Sequence, residues 1–110
     1  MNIMNIIVIK VHLELPETEN KGEWKKKIYG WADKYFKTGY TVYETEGVWK
    51  GNKGAGFTIE RYEDNLSLPK DPEFRAELGE LARVLKQDSI MLTIFMADSE
   101  IISAKEEIKL

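Results

Sequence analysis

YTVYETEGVWKGNKGAGFTIERYE, residues 40–63, decides the fold. Tyr40 to Trp49 is rich in β-branched and aromatic residues and reads as a strand. Lys50 to Gly56 carries three glycines, suited to the conformations a hairpin loop demands, and Phe57 to Glu63 is the returning strand. The alternation of the first strand is imperfect. Val42 and Val48 share a parity with Glu44 and Glu46 between them, so Gly47 is expected to mark a bulge that resets the register.

Working outward, this strand pair is bracketed by two helical runs. Upstream, Trp24, Ile28, Trp31 and Tyr35 recur at spacings of four, three and four, which places them on one stripe of a helix over 21–37. Asn20 is its candidate cap with Glu23 three residues on, and Gly39 is its candidate C-terminal glycine. Downstream, Asp71-Pro72-Glu73 is a helix start with an N-cap acid, a proline at the first position and an acid in the first turn. Phe74, Leu78, Leu81 and Leu85, helped by Ala82, make the buried stripe of that second helix over 72–87.

Each outer end is a strand. Ile7, Ile9, Val11, Leu13 and Leu15 alternate with Lys10, His12 and Glu14, and Pro16 ends the run. Met4, Ile6 and Val8 make the other face of its first half apolar as well. At the far end Ile90, Leu92, Ile94 and Met96 face one way and Met91, Phe95 and Ala97 the other. The order is β-α-β-β-α-β, the split βαβ plan of the ferredoxin-like α+β fold: an antiparallel four-stranded sheet with two helices on one face. Its core is expected over 4–97 and a tail over 98–110, where Ile101 and Ile102 could add a short strand.

The bulk properties fit one domain, residues 1–110, of ordinary globular composition, 43% hydrophobic and 32% charged. The absence of cysteine removes thiol catalysis, disulfides and zinc-thiolate or iron–sulfur sites. No apolar stretch is long enough to span a bilayer, no secretory signal is evident, and the expected location is the cytoplasm. A net charge of −3 argues against general nucleic-acid binding. The consecutive Lys25, Lys26 and Lys27 spread around their helix and read as a solvated face.

A sheet covered by helices on one side should be polar on the other in a monomer. Here the first and last strands, neighbours in this fold, are apolar on both sides, so the uncovered face is expected to be an interface of a homo-oligomer. The candidate ligand site is the hairpin. Tyr43, Trp49, Lys50, Asn52, Lys53 and Arg61 gather around its glycines, where cations and backbone amides suit an anion and the aromatic rings suit a base. His12, the one histidine, shares a face with Glu14 and reads as a partly exposed structural residue. Glu44 and Glu46 form a same-face carboxylate pair on an edge strand, the usual guard against aggregation.

The run Tyr43-Glu44-Thr45-Glu46-Gly47-Val48-Trp49-Lys50-Gly51, followed by Phe57-Thr58-Ile59-Glu60, resembles the hairpin of the divalent-cation-tolerance (CutA) proteins. Those group with the PII signalling proteins as trimeric ferredoxin-like domains. The resemblance implies a trimer, favoured over a dimer, with clefts between subunits where nucleotides and anions bind beside the hairpin. The hairpin is shorter than a PII loop, and the cysteine and histidines tied to metal in the cation-tolerance proteins have no counterpart. No metal and no cofactor is expected. The first reading is a non-enzymatic, PII-like oligomer binding a small anionic ligand, a nucleotide being the natural candidate. The alternatives are a dimeric α+β-barrel enzyme with His12 in an enclosed apolar pocket, and a small, phage-borne kind of inhibitor that binds a larger partner.

Overall fold

A computed structural model describes residues 4–16 and 20–104. The elements are β1 (Met4–Glu14), α1 (Lys21–Tyr35), β2 (Thr41–Trp49), β3 (Asn52–Glu63), a single turn α2 (Ser67–Lys70), α3 (Pro72–Val84) and β4 (Met91–Ser99). The sheet order is β2-β3-β1-β4 with every neighbouring pair antiparallel, which is the ferredoxin-like arrangement the hydrophobic periods predict. No helix among the described residues is long and apolar enough to cross a membrane.

Local chemistry sets the helix starts. Asn20 Oδ1 accepts from the Gly22 amide at 2.9 Å, and Asp71 Oδ1 accepts from the Glu73 amide at 3.0 Å, so each cap satisfies a donor the helix leaves free. Pro72 follows its cap at the first helical turn. The stripe of α3 is buried as its spacing predicts: Phe74, Leu78, Leu81, Ala82 and, just beyond, Leu85. On α1 the buried set shifts. Trp24 and Ile28 are buried, Trp31 and Tyr35 are half-buried, and Ala32 and Phe36 take the innermost positions. The Phe74 ring meets Trp31, Tyr35 and Phe36 at centroid distances of 5.8, 5.4 and 6.1 Å, which ties α3 to α1.

The helix-side face of the sheet supplies the rest of the core: Ile7, Ile9, Val11 and Leu13 from β1, with Phe57 and Ile59 from β3. Side chains alternate across a strand, so the register places the even positions of β1 on the opposite, helix-free face. The helix-side core reaches only the start of β4, where Leu92 packs against it. On its helix side Met96 remains 71% exposed, while Met91 and Phe95 are exposed on the other side.

Four expectations require correction. The hairpin loop is not seven residues long; it is a two-residue turn, Lys50 at φ 50° and Gly51 at φ 80°, both left-handed as a type I′ turn requires. Asn52 to Gly56 belong to β3, whose ladder with β2 runs one-to-one from Trp49↔Asn52 to Thr41↔Glu60, so Gly47 marks no bulge. α1 ends at Tyr35, before Gly39. Residues 101–104 form no strand, Ile101 and Ile102 are over 80% exposed, and any role of 105–110 lies outside the described residues.

Candidate functional site on the helix-free sheet face

The register assembles this face row by row. Val8 stands between Phe95 and Tyr62, Lys10 between Thr93 and Glu60, and His12 between Met91 and Thr58, with Tyr43 beyond Thr58 on β2. Val8 and Ile6 are themselves buried. Of the three β1 residues that the sequence places in the patch, Met4 alone is exposed; the rest of the exposed apolar area lies on the other strands, where Phe95 is 43%, Tyr62 52% and Tyr43 38% exposed.

At the centre is a closed polar network. Glu60 accepts from the Tyr62 hydroxyl at 2.8 Å on one oxygen and from the Tyr43 hydroxyl at 3.1 Å on the other, and Lys10 Nζ lies 3.5 Å from that second oxygen. The Tyr62 hydrogen bond, then those of Tyr43 and the Lys10 charge, hold the Glu60 carboxyl below its ordinary pKa despite partial burial. The same contact with Glu60 raises the Tyr62 phenol. Lys10, raised by the facing Tyr43 and by Glu60, also sits 5.8 Å from the Phe95 ring centroid. One carboxylate thus anchors the hydroxyls of two exposed tyrosines.

The next row is uncharged in its contacts. His12 Nδ1 lies 3.2 Å from Thr58 Oγ1 and Nε2 lies 3.1 Å from Thr93 Oγ1. A threonine hydroxyl donates or accepts, so both ring nitrogens keep a partner in either charge state of the imidazole. Beyond this row the face deepens into a groove of about 700 Å³, lined among others by His12, Thr58, Thr45 and Gly56. At Gly56 the two strands approach closely beside the groove: a Cβ there would clash with the Leu13 carbonyl oxygen. Three carboxylates, Glu14, Glu46 and Asp88, line the groove, which gives it negative character. Among the described residues no group of His, Asp and Glu side chains is arranged to hold a metal ion.

The hairpin residues singled out in the sequence do not converge. Tyr43 is on the helix-free face, hydrogen-bonded to Glu60. Arg61 is on the opposite side, its Nε 3.4 Å from Glu63 and its guanidinium donating to Thr38. Lys53 pairs with Glu46 at 3.8 Å. Eight residues of strand separate Lys53 from Arg61, roughly 26 Å, too far for one small anion to meet both. Asn52 is exposed beside the turn and Lys50 forms the turn itself; the Trp49 side chain lies outside the described residues' side chains. Glu44 is taken by Lys21 at 2.9 Å and Lys25 at 3.9 Å, and Lys21 holds its pKa low. The Glu44–Glu46 pair thus serves surface ion pairs. Lys10, Glu60, Tyr62 and Phe95 have no motif. Their only signal is parity, which marks them as helix-free once the register is known.

No family model matches this sequence, and no curated protein matches it. Among solved structures, a phage SAM lyase in its apo state is similar over 88% of this chain and 92% of that chain, with a TM-score of 0.49 and 12% sequence identity. No residue role passes from one chain to the other at that level.

Proposed function

We propose that this is a non-enzymatic, homo-oligomeric small-ligand-binding protein. Copies associate through the helix-free sheet face, and the ligand sits where that face meets the base of the β2–β3 hairpin. The observation that supports it is the exposure of Phe95, Tyr62, Tyr43 and Met91 on one continuous face around the Lys10–Glu60 network. Exposed apolar area of this kind is characteristic of interaction surfaces, and a carboxylate with both oxygens partnered within the protein tolerates being covered. A closed trimer is the expected assembly, with the ligand in the cleft between subunits.

The charge distribution favours an uncharged or cationic ligand over an anion. Glu14, Glu46 and Asp88 line the groove, and Lys53 and Arg61 are engaged by Glu46 and Glu63. A second reading, the two-fold barrel enzyme, is favoured by one feature: His12 stands on the face that such a dimer would enclose. Native mass spectrometry with a panel of neutral, cationic and anionic metabolites tests the proposal. A trimer that retains a neutral or cationic molecule is the expected result. A dimer converting a panel member would support the barrel enzyme, and a monomer ignoring the whole panel would overturn both.

A further inference from the structure

The geometry points to a ligand class for this site: we infer that the helix-free face binds a neutral planar heteroaromatic ring, of the nucleoside type, stacked on Tyr62 and Phe95 with its polar edge toward Lys10. The inference rests on the proposed function, since a second copy over this flat face encloses the small molecule bound there.

Three observations carry it. The tyrosine rings are held in place. Tyr62 and Tyr43 are anchored through their hydroxyls to one carboxylate, at 2.8 and 3.1 Å, so a stacking ligand need not order them. Both stacking rings remain accessible, since Tyr62 and Phe95 are exposed and the Tyr62 hydrogen bond engages only its phenol oxygen. The polar chemistry beside them has one unspent element. Glu60 uses both oxygens within the network, whereas the Lys10 ammonium carries three donors for two polar neighbours, Glu60 at 3.5 Å and the facing Tyr43, with the Phe95 ring centroid at 5.8 Å. A ring bearing an acceptor nitrogen or carbonyl on its edge complements that ammonium.

Charge then selects within the class. The central row contributes one cation and one anion, Lys10 and Glu60, and so presents no net charge to a ligand. Glu14 and the acidic groove lie two rows further along the same face. A phosphate attached to the ring meets carboxylates in that direction, so the nucleoside binds better than its triphosphate. His12 lies between the platform and the groove, with both ring nitrogens already partnered by Thr58 and Thr93.

The test is NMR titration of the full chain with adenosine, guanosine, cytidine and uridine, and with ATP, run beside light scattering on the same samples. Saturable shifts of the Tyr62 and Phe95 ring resonances are expected for at least one nucleoside, with weaker binding of ATP. Tyr62→Leu and Phe95→Leu keep apolar cover over Val8 and remove the ring; each is expected to weaken binding roughly 5- to 100-fold, the range of single stacking contacts. An oligomer that binds no nucleoside, or whose leucine variants bind as well as the parent, overturns this inference and leaves the assembly reading intact. A monomer that stacks nucleosides on these rings overturns the assembly and upholds the ligand class. A monomer that binds none overturns both.

Discussion

Gly56→Ala is expected to be among the most damaging single-methyl changes in this chain. The added Cβ would lie 2.3 Å from the Leu13 carbonyl oxygen and 3.0 Å from Thr45 Oγ1. Ordinary van der Waals contact starts near 3.4 Å, and the nearer atom is backbone in a central strand, so no side-chain rotation relieves the clash. β1 and β3 must separate by about 1 Å at the Glu14↔Gly56 pair, close to where the Leu15 amide donates to Ala55 at 2.9 Å. Overpacking costs typically about 1–3 kcal/mol. One or two weakened ladder bonds add about 0.5–1.5 kcal/mol each. The sum is a loss of about 1.5–6 kcal/mol, read by urea unfolding as a fall in midpoint at constant slope. Gly54→Ala is the control, since a Cβ added there would meet nothing within 4 Å; it is expected to stay within about 0.5 kcal/mol of the parent. If both variants unfold at the same denaturant concentration, the close approach of β1 and β3 beside the groove is wrong.

Three further outcomes follow from the contacts. Glu60 has a folded pKa below its unfolded value, so its stabilisation is present above the ordinary glutamate pKa and is lost as pH falls through the depressed one; Glu60→Gln should flatten the acid limb of a stability–pH curve below about pH 4. Tyr40, half-buried and donating to Asp33 at 2.6 Å, has its phenol pushed up to about 12. It should be the last tyrosine to ionise in an ultraviolet titration, with stability falling as pH rises from the unfolded value near 10 toward 12. Asp71→Ala removes the N-cap of α3 and should cost about 1 kcal/mol in thermal or urea unfolding, whereas Asp71→Asn should cost little.

Much of the fold was legible because its signals are local. Asn20 and Asp71-Pro72 are start signals wherever they occur, and Phe74, Leu78, Leu81 and Leu85 recur at a period only a helix serves. The turn was not legible in the same way. Gly51, Gly54 and Gly56 look equivalent along the chain, and only the strand pairing assigns Gly51 to the turn and Gly56 to the close approach against Leu13. The site was hidden for a related reason. Glu60 meets Lys10 and Tyr43 across three strands, and a register offset by one residue would put them on opposite faces. Arg61 was within reach of sequence reasoning, since it shares parity with the core residues Phe57 and Ile59 and so belongs to the helix side, away from Tyr43.

The most direct test of the account is the solution mass of the parent chain beside Phe95→Glu, measured by light scattering with circular dichroism on both. Phe95 is exposed in the single copy, so the charge should leave the fold intact while blocking a covered sheet face. The account predicts an oligomer for the parent, with a trimer the expected size, and a folded monomer for the variant. A monomeric parent, or a variant that keeps the parent's mass, would contradict it.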